Sequence, residues 1–506
     1  MVNKKAIGRA VSVVVVFTMM AKLLGFFREI LLSYFFGASG ISDAYLISQN
    51  IPGVIFQFVG TGLLTCFIPV YFQAKKNSGK ERADVFTNML ITAVLLFSTM
   101  VIVLIWLFTP DVIKVFAAGF EGQTITYATW FTRIGVLSLY FSTIIYVYNS
   151  YLQANSVYGP SAFAAIPNNL CIMLSIAFGA SINIWLLPIG SCLAVGVQML
   201  FLIVPVHKHG FHLALKLDLN DRYLKMFIRL VIPTILGVSV NQINTLVDRT
   251  IASQVAVGGI SALTYANSLI MLVQGGLVDP INTVFYPQIT EAVSNNNTAT
   301  AKSGIERVLN YILTLLIPIT AGFVIFRNLI IEALFVRGVF DSVAAKMTSD
   351  ALSFYAIGLI FIGIREMLSR FYYAHSNTKI PMRNSIIGVM VNVVLNLVLG
   401  KMLGIAGLAL STAISAQVTA MLLWLGCDKH LKSGHIMISL SNIMKTIVAT
   451  VMALIPANLI AQSMNGPLLI KLIIIVMIAS LVYCTIAFIL RIELAIVIVK
   501  MFKDKF

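Results

Sequence analysis

The sequence predicts an all-α polytopic membrane protein of about fourteen transmembrane helices. They are expected as two six-helix lobes related by a pseudo-twofold axis along the membrane normal, plus two C-terminal helices. Three observations predict this. Of the 506 residues, 59% are hydrophobic and only 11% charged, whereas soluble domains carry about a quarter charged residues. Apolar runs of ~20 residues, enough to cross a bilayer, recur from end to end. The chain also resembles itself at a separation of about 220 residues.

The expected spans are 10–37, 42–74, 86–109, 124–153, 160–181, 183–206, 224–256, 259–290, 307–329, 347–374, 382–401, 403–427, 440–463 and 466–490, limited by Pro, Gly and charge. Lys4, Lys5 and Arg9 precede the first run as in a signal peptide. The run continues too long and lacks a small-residue cleavage site, so an uncleaved first helix is expected. Cys66, Cys171, Cys192, Cys427 and Cys484 lie in or beside apolar segments with no metal or disulfide spacing, and read as small core residues.

The formal net charge is +16. In a soluble chain that would point to nucleic acid, but here the basic residues sit between apolar runs, where charge sorting of cytoplasmic loops accounts for them. With the N-terminus inside, Lys75, Lys76, Lys80, Arg82, Lys208, Lys216, Arg222, Lys302, Arg307, Lys379, Arg383, Lys429 and Lys432 fall on the inner side. Lys114, Arg337, Lys346 and Lys401 fall outside. Both termini are therefore expected in the cytoplasm. The loops are free to meet anionic lipid headgroups.

The repeat sets GFFREILLSYFFGASGISDAYLISQNI (25–51) against NTLVDRTIASQVAVGGISALTYANSLI (244–270), pairing Arg28 with Arg249, Gly37 with Gly258 and Tyr45 with Tyr265. YLQANSVYGPSAF (151–163) is set against YYAHSNTKIPMRN (372–384), Pro160 opposite Pro381. A repeat with an even number of spans preserves orientation. The expected domains are a first lobe at 1–206, a cytoplasmic linker at 207–223, a second lobe at 224–427, and an appendage of two helices with a cytoplasmic tail at 428–506.

Polar groups enter the membrane unevenly. Lys22, Arg28, Glu29 and Asp43 lie in the first two spans, and Asp248, Arg249 and Asp279 in the seventh and eighth. A charge at mid-bilayer costs ~2.5–3.5 kcal/mol on insertion scales, so such residues face a cavity or a partner. These two helix pairs are expected to line a central cleft, whereas 86–109 and 466–490, almost purely apolar, are expected to face lipid. Plainer readings stand beside this one. Arg28–Glu29 and Asp248–Arg249 also suit structural ion pairs, and Asp43 suits a helix cap. Arg133, Arg365, Glu366 and Arg370 suit ion pairing between helices. Asn392 and Asn396, spaced i,i+4, share one face; with Thr412 and Asp248 they form either a small hard-cation site or interhelical hydrogen bonds. His207, His209 and His212 read as a solvated basic linker rather than a metal site. No nucleotide-binding loop, nucleophile–base set or zinc motif is present in the sequence, so no enzyme is expected.

KLLGFFREILLSYFFGASGISDAYLIS (22–48), IPGVIFQFVGTG (51–62) with IPVY (68–71), LFVRGVFD (334–341) and 371–415 together resemble the lipid II flippase family (MurJ/MviN). That family lies within the multidrug/oligosaccharidyl-lipid/polysaccharide exporter group. The resemblance covers essentially the whole chain. It implies two six-helix lobes around a cavity of alternating access, a lipid groove linked to the last two helices, and a bacterial cytoplasmic-membrane location. The implied activity is movement of undecaprenyl-pyrophosphate-linked peptidoglycan precursor from inner to outer leaflet. On that resemblance, Lys22, Arg28, Glu29, Asp43, Arg249 and Ser268 stand at substrate-binding positions. Asp248, Asn392, Asn396, Leu408 (through its carbonyl) and Thr412 stand where some members hold sodium. Phe56, Gln57 and Ser268 replace basic residues usual in the family, and Lys22 replaces an arginine; lysine is not an equal bidentate partner for phosphate. A flippase for another polyprenyl-linked glycan and a cation-coupled exporter of similar fold are the alternatives, the latter opposed by Lys22 and Arg28. No partner chain is demanded, and a monomer is expected.

Overall fold

The computed structural model describes residues 4–427 and 436–497, the side chains of 4–13, 58, 59, 233–241 and 243 excepted. Among the described residues the only regular elements are helices. In order they are α1 (Lys4–Phe36), α2 (Gly40–Leu107), α3 (Thr109–Phe116), α4 (Gly122–Gly135), α5 (Ser138–Ala154), α6 (Gly159–Phe163), α7 (Ala165–Ser181), α8 (Leu186–Lys208) and α9 (Arg222–Val255). There follow α10 (Gly259–Val273), a π-helical turn (Gln274–Val278), α11 (Asp279–Ser294), α12 (Thr298–Ile325), α13 (Arg327–Leu334), α14 (Ser342–Ala374), α15 (Lys379–Leu403), α16 (Ile405–Cys427), α17 (Leu440–Ser463) and α18 (Leu468–Ile489).

Among the described residues ten helical segments, α6–α7 and α10–α11 each counted as one, are long and apolar enough to span a membrane, or eleven if α4 and α5, bent by 44°, form one span. That is fewer than the fourteen expected, partly because α2 counts once while holding two expected spans. Its 68 residues run through the expected loop 75–85, broken only at Gly79 (φ 82°, ψ 173°). The physical reason lies in QAKKNSGKERAD: Gln, Ala, Lys, Glu and Arg are good helix formers, so one glycine suffices to break the helix there.

The chain forms two compact units, Met1–Ser261 and Ala262–Phe506. In the first, α2 packs against α4, α5 and α9, and α7 against α8 and α1. The α1–α2 corner is made by Gly37 at φ 62° and sealed by a reciprocal cap. Ser42 N donates to Ser39 Oγ (3.4 Å) and Ser39 N to Ser42 Oγ (2.9 Å). In the second unit α14 packs on α12 and α16, α15 on α16, and α17 and α18 on each other and on α12 and α13 respectively. Of α18 only Ile475 and Ala487 are buried. Pro280 lacks the N–H that would continue the α10 ladder, and the Gly275–Gly276 pair just before it lies in the π-helical turn.

Positions that the sequence repeat pairs share some backbone features. Gly37 and Gly258 both take positive φ, 62° and 80°. Ser156 and Ser376 do the same in matching turns (60° and 55°). Those turns are closed by Val157 N to Leu152 O at 2.8 Å and Asn377 N to Tyr372 O at 2.9 Å.

Candidate functional site

The face that each residue of α1 presents follows from helix geometry. Val16, Met20, Leu23, Phe27 and Tyr34 are exposed large hydrophobics. At ~100° per residue they form one stripe, the side that lipid covers. On the same wheel Lys22, Arg28 and Glu29 point roughly 110° or more from the centre of that stripe. Arg28 and Glu29 therefore turn away from that stripe, whereas Lys22 lies within ~20° of Val15, which is also exposed. Arg28 donates to Glu29 Oε1 from Nη2 (2.7 Å) and Nε (3.3 Å). The Arg28 side chain keeps 34% of its surface exposed, while Glu29 is buried. Glu29 Oε2 has no hydrogen-bond donor. The pair is thus a guanidinium neutralised on one edge, with donor capacity on the other for a second anion. Lys22 lies half-buried two turns earlier on the face of Glu29.

Asp43 has a different role from these. It is buried in the first turn of α2, where Ser39 already caps the helix. Its carboxylate reaches the start of α10 and accepts from Gly258 N (2.8 Å), Ser261 N (2.8 Å) and Ser261 Oγ (2.5 Å). A carboxylate on the first amides of a helix satisfies orphan donors and opposes the helix dipole. Gly258 is required there, because a Cβ would strike the carbonyl of Ala38.

The other family positions are distributed as follows. Asp248 and Arg249 are half-buried on α9, and Asp248 Oδ2 accepts from Asn244 at 3.4 Å. Ser268 turns its hydroxyl to the Tyr265 carbonyl (2.6 Å) of its own helix. Phe56 is buried against Tyr146 with ring centroids 5.4 Å apart, while Gln57 is exposed.

In the second unit Asn392, Asn396, Leu408 and Thr412 come together at the α15–α16 interface. Asn396 Nδ2 donates to Asn392 Oδ1 (2.8 Å), Asn392 Nδ2 to Thr412 Oγ1 (3.3 Å), and Thr412 Oγ1 to Leu408 O (3.1 Å). These are neutral oxygens only, the donor type a hard monovalent cation takes. Only the Asn392–Thr412 bond crosses between α15 and α16; the other two join residues four apart on one helix. Asp248 belongs to the other unit.

Several polar contacts were not foreseen. Arg133 stacks over Trp106 and Trp130 (5.4 and 5.0 Å to the centroids) and bonds Thr109, instead of pairing with a carboxylate. Glu366 accepts from Gln274 of the π-helical turn, and Arg370 lies over Tyr286. Arg82 pairs with Asp221, whose other oxygen caps α9 through Tyr223 N (2.9 Å) and Leu224 N (3.0 Å). The π-helical turn had a signal in its Gly-Gly-x-x-x-Pro spacing; the others depend on contacts made far along the chain.

A bundle of membrane-spanning helices, with inward-facing charge on its first helix and buried polar clusters, defines a polytopic membrane transport protein. The fold is shared with an inward-facing multidrug resistance MATE family transporter of the MOP superfamily: TM-score 0.70, 14% identity, covering 84% of this chain and 98% of that one. A structure described as lipid II flippase MurJ, inward closed conformation, is more similar, with TM-score 0.82 and 26% identity over 94% of this chain and 97% of that one. The sequence profile described as "Lipid II flippase MurJ" matches residues 32–481. Among curated relatives, the probable lipid II flippase MurJ of Bdellovibrio bacteriovorus is 25% identical over 94% of this chain and 93% of its own. That of Rickettsia prowazekii is 24% identical over 82% and 84%. The chain belongs to the lipid II flippase MurJ family.

Proposed function

We propose that the chain moves lipid II from the inner to the outer leaflet of a bacterial cytoplasmic membrane, supplying the outer face with peptidoglycan precursor. The observation that carries this is the family match through residues 32–481, nearly the whole membrane domain. The site geometry supports it: a pyrophosphate requires charge-assisted donors, and Arg28 is tied to Glu29 on one edge only, with Lys22 half-buried two turns earlier. Arg249 supplies a further cation, and Ser268, where the family commonly has arginine, offers only a neutral hydroxyl. The headgroup load thus falls on fewer cations, chiefly Lys22 and Arg28.

Access alternates between the two membrane faces, with both termini cytoplasmic and lobes 1–206 and 224–427 joined by the linker 207–223. An apolar hollow of about 370 Å³ between α12, α13, α17 and α18, lined by residues such as Pro318, Phe323, Leu472, Ile475 and Tyr483, suits part of the polyprenyl chain. Outward movement of an anionic headgroup is favoured by an inside-negative potential, ~2.3 kcal/mol per charge per 100 mV. Sodium is the proposed co-ion. Asn392, Asn396, Thr412 and the Leu408 carbonyl offer it oxygens within the second unit, and the family resemblance adds Asp248 as a coupling residue.

The test is genetic and biochemical. A bacterium depleted of its own lipid II flippase and expressing this chain is expected to grow and to expose lipid II outside. Lys22→Ala and Arg28→Ala are each expected to abolish rescue at normal protein level. Absence of rescue by the native chain, despite full membrane expression, overturns the substrate; normal rescue by both variants overturns the phosphate site. Sodium replacement, with Asp248→Ala alongside, tests coupling, and indifference to both removes the co-ion.

A further inference from the structure

The linker between α8 and α9 is neither helix nor a free loop. His212 O accepts from Asn88 Nδ2 (3.1 Å), Ala214 N donates to Asn88 Oδ1 (2.9 Å), and Lys216 N donates to Thr92 Oγ1 (3.2 Å). The four residues from Asn88 to Thr92 rise ~6 Å along α2. Two extended residues, 214 to 216, cover ~6.6 Å. The match means the linker runs extended alongside α2, in the direction α2 takes into the membrane. It must then come back, because Asp221 pairs with Arg82, ~15 Å back along the same helix from Thr92. The return is made through a turn at 218–221, closed by Asp221 N donating to Asp218 O (3.2 Å) and Asn220 N to Asp218 Oδ1 (2.9 Å), so the tip lies near 216.

The depth of that tip follows from α2. Its second apolar span begins near Phe86, and Thr92 lies six residues further, ~9 Å deeper. This is the ~5–10 Å depth at which amphipathic segments rest at the headgroup–acyl boundary. The loop is dressed accordingly. Leu213, Leu215, Leu217 and Leu219 are 42%, 71%, 44% and 63% exposed, every second residue of the segment. Lys208, Lys216 and Arg222 are exposed around them, against one exposed carboxylate, Asp218.

We propose that residues 211–220 form a re-entrant interfacial anchor, with the four leucines among the acyl chains and Lys208, Lys216 and Arg222 on anionic phospholipid headgroups. The proposal rests on α8 and α9 crossing the membrane with this linker on the cytoplasmic side; it requires nothing of the transported substrate. Lys216 reaches the headgroups by extending its stem outward. The anchor ties the connection between the two halves of the chain to the inner leaflet and, through Asn88, Thr92 and Arg82, to α2.

The test uses the full native chain in vesicles of phosphatidylcholine with phosphatidylglycerol, doped with a phospholipid bearing a photoactivatable diazirine on its acyl chain. Labelled sites are read by peptide mass spectrometry. Residues 213–219 are expected to label within about twofold of the lipid-facing 477–481 segment of α18, and far above the polar 76–81 segment. Removing phosphatidylglycerol is expected to reduce the loop label but not the α18 label. Leu215→Asp combined with Leu217→Asp is expected to abolish the loop label with the α18 label retained. Loop labelling no higher than that of 76–81 overturns the anchor, whether the loop lies in water or beneath a second copy of the chain. A loop label insensitive to both phosphatidylglycerol and the double substitution overturns it equally.

Discussion

Removing the Asp43 carboxylate is expected to destabilise the protein more than its place in a helix first turn suggests. The carboxylate accepts from two buried backbone amides, Gly258 N and Ser261 N, and from the Ser261 hydroxyl. Asp43→Ala leaves both amides without an acceptor at ~1–3 kcal/mol each, so the loss is about 2–6 kcal/mol. Asp43→Asn keeps one acceptor oxygen for the two amides and turns its own donor toward them, for roughly half that loss. Ser261→Ala removes only the hydroxyl bond, about 1 kcal/mol. The order Asp43→Ala, Asp43→Asn, Ser261→Ala should appear in unfolding followed in mixed micelles. The double substitution should be less damaging than the sum of the singles by ~0.5 kcal/mol or more, since the two residues share one contact. Strict additivity, or Asp43→Ala as mild as Ser261→Ala, would refute the cap.

Two further substitutions probe other junctions. Gly258→Ala combines a left-handed backbone, ~1–2 kcal/mol for a residue with a Cβ, with a collision on the Ala38 carbonyl. Protein accumulation and rescue should fall together, and normal accumulation would show that the corner yields. Asn392→Leu preserves bulk but takes the acceptor from Asn396 Nδ2, buried at the α15–α16 interface. Its expected cost is about 1–3 kcal/mol by thermal unfolding in sodium-free buffer, and a neutral result would show that the cluster does not hold the two helices.

Some of the candidate site was legible because helices impose a period. Arg28 and Glu29 are placed away from the exposed stripe of α1 by 100° steps alone, and Asn392 and Asn396 share a face because they are four apart. The sequence repeat pairs Gly37 with Gly258, and both take positive φ. What remained hidden depends on distance along the chain. Asp43 meets residues 215 and 218 positions away, and Arg133 meets Trp106 where a carboxylate was expected. A helical period reports which face a residue takes, but not which side chain waits opposite.

Class, membrane residence and family were therefore determined by the sequence itself, since hydropathy and local motifs act through neighbouring residues. Tertiary structure alone decided two things: that Asp43 serves the start of α10, and that the linker doubles back along α2. Each is decided by hydrogen bonds between groups that chain order separates, and those form only once the helices have packed.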